Sequence, residues 1–193
     1  MNRKKKILMI TTGGTIASVM TEEGLAPTTN GDSLKSRLFS LFDNYKITIE
    51  NIFNLDSSNI QPEEWKQLAN NIAQEYKKYD GIVLTHGTDT LGYTASILSF
   101  MLHNIPIPIV LTGSQLPIFA PLPDAIDNLR YAFAMASSGH PGVFVAFNRK
   151  IILGARAVKV RTFGFDAFES VNLPYVANSD STGLIINHNV LPK

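Results

Sequence analysis

Four short segments concentrate hydroxyls, a carboxylate and an imidazole beside glycines or at turns. In Thr11-Thr12-Gly13-Gly14-Thr15-Ile16-Ala17-Ser18 the two glycines allow a sharp turn and a close ligand approach, leaving the Thr15 hydroxyl at a rim. The segment has neither the Lys-Ser/Thr ending of a phosphate loop nor the G-x-G-x-x-G spacing of a dinucleotide fold. Thr85-His86-Gly87-Thr88-Asp89-Thr90 offers a carboxylate able to grip an ammonium group, and Thr88 as a nucleophile or proton carrier. Asp89 equally suits the cap of a following helix. Leu111-Thr112-Gly113-Ser114-Gln115-Leu116-Pro117 and Asp56-Ser57-Ser58-Asn59 add further hydroxyls. Lys159 lies in Ala155-Arg156-Ala157-Val158-Lys159-Val160-Arg161, which reads as a solvated hairpin face. Buried beside threonine and aspartate, the same amine would lose its proton more readily and activate a hydroxyl. Each segment taken alone also reads as a turn whose side chains satisfy local backbone groups.

The segments gain weight from the elements that must hold them. Lys6–Thr11, Gly81–Thr85, Ile107–Leu111 and Val143–Phe147 are short apolar runs of the kind that fill a strand buried on both faces. Lys46–Leu55 alternates as a strand, and Ile151–Arg161 reads as a hairpin. Helical periodicity follows Gly31-Asp32-Ser33 (Leu34, Leu38, Leu41, Phe42), runs from Pro62 to Tyr79, and recurs at about Asp89–His103 and Asp124–Ser137. Alternation of this kind predicts a mostly parallel sheet with helices on both faces, a flavodoxin- or Rossmann-like three-layer sandwich. Ligands of such sheets bind beyond the carboxyl ends of the strands, where all four segments fall. The stretch from about Asn172 to Lys193 is weaker in periodicity and reads as a linker or short edge structure.

Composition narrows the function. A formal net charge of +1, with no basic cluster beyond Arg3-Lys4-Lys5-Lys6, gives no support to a nucleic-acid partner. The absence of cysteine excludes disulfides and thiolate chemistry, and His86, His103, His140 and His188 lack helical metal-ligand spacing, so no metal site is expected. The apolar run after the basic start breaks at Thr11, too early for a secretory signal, and no run approaches a membrane span, so a cytoplasmic location is expected.

With these residues in view the chain resembles the bacterial-type L-asparaginase family, in particular its cytoplasmic type I branch. The resemblance covers essentially the whole chain and rests on Thr12-Gly13-Gly14-Thr15-Ile16-Ala17 and Thr85-His86-Gly87-Thr88-Asp89-Thr90 in that order. Asp56-Ser57-Ser58-Asn59, Thr112–Pro117, Asp124-Ala125-Ile126-Asp127-Asn128-Leu129 and Ala157-Val158-Lys159 support it. It implies an amidohydrolase that converts L-asparagine to L-aspartate and ammonia without metal or cofactor. By position Thr15 matches the threonine that forms the covalent intermediate, and Thr88, Asp89 and Lys159 match a second catalytic cluster. Asp89 and Thr88 would also bind substrate, with Ser57 and Ser58 at the α-carboxylate and Ser114 nearby. Such a site supplies what an amide carbon needs: a nucleophile, a proton acceptor and donors for the developing oxyanion.

Two departures accompany the resemblance. Periplasmic members carry a tyrosine in the mobile loop after the first motif; here Thr21–Pro27 has Leu25 at roughly that place. Members also have a smaller C-terminal domain, which closes the active site of a neighbouring subunit. The expectation is therefore an amidase domain at 1–180, the start of a linker at 181–193, and no C-terminal domain. The parent protein would be a homodimer or homotetramer, and the isolated domain a monomer or dimer of uncertain activity. Two alternatives remain: the amidase subunit of a glutamyl-tRNA amidotransferase, which would carry an added N-terminal domain, and a non-catalytic amino-acid-binding or assembly module.

Overall fold

The computed structural model describes residues 3–15, 18–21, 24–27 and 43–192. The helix expected after Gly31 lies outside them. Strands β1 (Lys5–Gly13), β4 (Tyr45–Leu55), β5 (Gly81–Thr85), β6 (Pro108–Thr112), β7 (Gly142–Phe147), β8 (Lys150–Leu153), β11 (Ala177–Asp180) and β12 (Gly183–Ile186) form one sheet. Its order is β12-β11-β8-β7-β6-β5-β1-β4, parallel from β4 to β7 and antiparallel beyond. Two small hairpins stand apart: β2 (Ser18–Thr21) with β3 (Gly24–Pro27), and β9 (Ala157–Lys159) with β10 (Phe168–Ser170).

The central strands are apolar throughout because helices cover both sheet faces. Helices α1 (Pro62–Glu75) and α2 (Leu91–Met101) bury Leu68, Ile72, Ala95 and Leu98 against Leu8, Ile10, Ile82, Leu84 and Leu111. Helix α3 (Ala125–Ala136) buries Leu129 and Phe133 against Ile7, Met9, Val83 and Val110 on the opposite face. Successive residues of one strand thus serve different layers, which is why no polar position interrupts the runs. Pro62 opens α1, and the Glu64 carboxylate accepts from the Gln61 N–H at 2.8 Å, satisfying a donor at the helix start.

Chain direction reverses at β1. From β1 the chain moves outward to β4, returns over β1 through α1 to β5, and then advances the other way through β6 and β7. The carboxyl ends of β1 and β5 therefore flank the switch point, the crevice where open α/β sheets bind ligands. The crossovers through α2 and α3 advance in the same direction yet lie on opposite faces, so they differ in hand.

Expected elements and observed ones differ at two places. The hairpin read at Ile151–Arg161 is instead two halves of different pairings: β8 folds back on β7, and β9 pairs with β10 after the turn Gly154–Arg156. The helix expected to reach Tyr79 is α-helical to Glu75 and tightens into a 3-10 turn over Tyr76–Lys78. The weakly periodic tail, read as a linker or short edge structure, contains edge structure: β11 and β12 extend the sheet beyond β8.

Candidate active site at the switch point

The four strand ends expected to carry chemistry meet, and glycines set how closely. A Cβ on Gly14, whose φ is +83°, would stand 2.6 Å from the backbone nitrogen of Gly87, so the turn bearing Thr15 presses directly on the loop bearing Thr88. A Cβ on Gly87 would lie 2.6 Å from the Ser57 hydroxyl, and one on Gly113 would lie 2.5 Å from the His86 carbonyl. Backbone approach at these glycines brings the ends of β1, β4, β5 and β6 together. The Thr12 hydroxyl donates to Thr85 O at 2.9 Å and the His86 N–H to Thr112 O at 2.9 Å, tying the same ends by hydrogen bonds.

Thr88, Asp89 and Lys159 converge although Lys159 lies on a separate ribbon. The Lys159 ammonium donates to the Thr88 hydroxyl at 2.8 Å and to the Asp89 carboxylate at 2.6 Å. The lysine side chain is 17% exposed and the aspartate 65%. Gly92 admits the ribbon: a Cβ there would sit 2.7 Å from Ala157 O, in the strand that carries Lys159. The solvated-face reading of the lysine fails, since Val158 is exposed and Lys159 faces inward. Asp89 does not cap α2. Thr90 occupies the cap position without a side-chain cap bond, and its hydroxyl donates to Ser57 O at 2.7 Å.

The other expected residues fall into place differently. Thr15 is half-buried at the end of the Gly13-Gly14 turn. Ser57 is buried beneath Gly87, whereas Ser58 is exposed and donates to the Asp56 carboxylate at 2.6 Å. Hydrogen bonds from the Ser58 hydroxyl and N–H hold Asp56 below the usual carboxylate range. Ser114 is buried and donates to Leu116 O at 2.6 Å within its own turn. Leu25 lies in β3, paired with Met20.

Sequence reasoning missed a layer beneath these groups. His86 is fully buried, and burial pushes its imidazole down to about 4, so it is neutral. Its Nδ1 stands 2.7 Å from Gly87 O, an acceptor only, so Nδ1 carries the proton and Nε2 accepts from the Thr94 hydroxyl at 2.9 Å. Thr94 in turn accepts from Trp65 Nε1 at 2.8 Å. Beneath β6, Asp124 accepts from the backbone N–H groups of Gln115 and Leu116 at 2.9 and 3.0 Å, and buried Asn128 donates to Gly113 O at 3.0 Å. The motif Asp124–Leu129 carried this signal, as a polar pair four residues apart on one helix face.

Asp89 and Lys159 also wall a cleft of about 410 Å³ with Gly92, Tyr93, Ser96 and Val158. Thr15 and Thr88 lie outside that cleft, so the convergence of reactive groups, rather than the concavity, marks the site. Among the described residues no group of three or more metal-ligating side chains occurs, and no helix is long and apolar enough to cross a membrane.

Comparison with known proteins gives the family and the fold. Residues 6–191 match the family described as Asparaginase, N-terminal. The chain is 47% identical over 184 residues to an L-asparaginase of Thermococcus kodakarensis, covering 95% of this chain and 56% of that protein. It is 39% identical over 178 residues to L-asparaginase 1 of Escherichia coli K12, covering 89% and 52%. A solved structure, the thermostable L-asparaginase from Thermococcus kodakarensis, superposes with a TM-score of 0.87 at 48% identity, covering 95% of this chain and 56% of that one. A glutamyl-tRNA(Gln) amidotransferase component of Methanosphaera stadtmanae is 36% identical over 196 residues, covering 96% and 44%. The chain thus spans about half the length of the curated relatives it matches.

Proposed function

Because the chain belongs to the asparaginase N-terminal domain family, we propose that it carries the amidase site of an L-asparaginase, hydrolysing L-asparagine to L-aspartate and ammonia. The observation that supports this reading best is the Thr88–Lys159–Asp89 cluster held against the Gly14 turn that presents Thr15. The Thr15 oxygen attacks the side-chain amide carbon, and its proton passes through Thr88 and Lys159 to the leaving nitrogen. The C–N bond breaks, ammonia departs, and a β-aspartyl ester remains on Thr15. Water then attacks the ester, its proton returning to the Thr15 oxygen as L-aspartate leaves. Asp89, more exposed than Lys159, offers a carboxylate to the substrate ammonium; Ser58 and backbone groups near Ser57 take the α-carboxylate, with Ser114 alongside. The groups that would complete closure of this site belong to the remaining length of the relatives, so the chain by itself works weakly or not at all.

The test is ammonia release from L-asparagine and L-glutamine, joined to mass spectrometry of quenched protein. Thr15→Ala should abolish release and any 1:1 acyl adduct while the circular-dichroism spectrum stays unchanged. An adduct that persists in Thr15→Ala and disappears in Thr88→Ala would transfer the nucleophile's role to Thr88. The likeness to the amidotransferase component supports a second reading, ammonia supply for an amidotransferase; hydrolysis of free asparagine separates the two.

A further inference from the structure

Gln115 follows the Gly113-Ser114 turn and is half-buried. Its Nε2 donates to two backbone carbonyls, Thr162 O at 2.9 Å and Gly164 O at 3.0 Å. Carbonyl oxygens only accept, so the NH2 end of the amide must face them, and the opposite end cannot be exchanged with it. Oε1 is thereby aimed at Thr88, whose hydroxyl donates to it at 3.3 Å. Thr88 has one proton, and its oxygen already accepts from Lys159 at 2.8 Å. The backbone of Gln115 is anchored independently, since its N–H donates to Asp124 at 2.9 Å.

We propose that Gln115 is a positioning residue: it holds the Thr88 proton away from Lys159, keeping Thr88 an acceptor for the ammonium, and straps the 162–164 turn that follows the lysine. The proposal rests on the amidase reading of Thr88 and Lys159. Without the Oε1 acceptor the Thr88 hydroxyl turns and donates to Nζ, which favours the neutral amine. The resting ammonium and the proton-accepting amine are thus two settings of one hydroxyl rotor, and Gln115 selects the first. Asp89 is the charged group bonded to Lys159 and is unchanged by substitution at 115.

The experiment reads Lys159 directly. Trace labelling of the whole chain with acetic anhydride across pH, followed by peptide mass spectrometry, gives the pH midpoint at which Lys159 becomes reactive. Hydrogen exchange over residues 160–166 reports the strap. Q115M removes both the acceptor and the strap. Q115E restores an acceptor for Thr88 but sets a carboxylate against the Thr162 and Gly164 carbonyls. Exchange should rise in both variants, while the midpoint moves down in Q115M and up in Q115E. Midpoints that move in the same direction, or a Q115M midpoint that stays put while exchange rises, would overturn the proposal and leave Gln115 a strap alone. An extended protein, with the remaining length of the relatives, that releases no ammonia defeats the amidase reading, yet the labelling midpoints of the chain still decide this one.

Discussion

At the scale of single residues, the site stands on a histidine that does no chemistry. His86 spends both ring nitrogens on Gly87 O and Thr94, fixing the peptide against which Gly14 rests. Its usual value of 6.5 falls to about 4 in the fold because burial penalises the imidazolium. The unfolded chain therefore binds the proton more readily, and acid favours unfolding. The stability held by neutral His86 is complete above about pH 6.5 and is lost as pH falls toward 4, by roughly 3 kcal/mol over that window. In His86→Gln, denaturation free energies measured between pH 4.5 and 7.5 should lack this slope, so the gap to the parent chain narrows in acid. Trp65, the sole tryptophan and a partner of Thr94, gives the fluorescence signal. An unchanged slope in the variant would assign the acid sensitivity to another group.

At the scale of elements, close packing of loops through glycine is the decisive device. Gly14→Ala meets both a positive φ and the Gly87 backbone, so it should cost about 2–4 kcal/mol and disable the site. Gly139 has a comparable φ of +80° but nothing within 4 Å of a Cβ, so Gly139→Ala should cost only about 1 kcal/mol and leave ammonia release intact. Thermal denaturation of the two variants checks the contrast; equal losses would mean that backbone conformation, not the loop contact, sets the cost. The same elements show what was legible in the sequence. Buried strands announce themselves as apolar runs, and the hydroxyl-rich turns at their ends follow directly, so Thr15, Thr88 and Asp89 stand out as candidates by type and position, although each turn alone also reads as local capping. Lys159 does not, except by likeness to a family. Local alternation makes Val158 the inward residue, whereas pairing of β9 with β10 turns the lysine inward and the valine out, a reversal imposed by distant chain. Trp65, Thr94 and Gln115 are silent in the sequence because their roles depend on contacts 29, 8 and 27 residues away that no periodicity encodes.

At the scale of the whole molecule, the chain spans about half of each relative, and its site lies on an open sheet edge. An extended protein with the remaining length restored should raise kcat/KM for asparagine by about 100-fold or more, since closure excludes water and completes positioning. Ammonia assays of the two forms side by side measure it; equal efficiencies would show that the half-length chain is sufficient. The reversal of direction at β1 has a consequence during synthesis as well. β1 pairs with Tyr45–Leu55 on one side and with Gly81–Thr85 on the other, so it becomes an interior strand only once Gly81–Thr85 has been made. Until then its edge toward β5 is an unfinished seam, and the loop between Ile7 and its partner Gly81 must close before that pairing is rewarded. The strand ends that carry Thr15 and Thr88 therefore mature together in one late step, and a nascent chain stalled before β5 exposes a sticky strand.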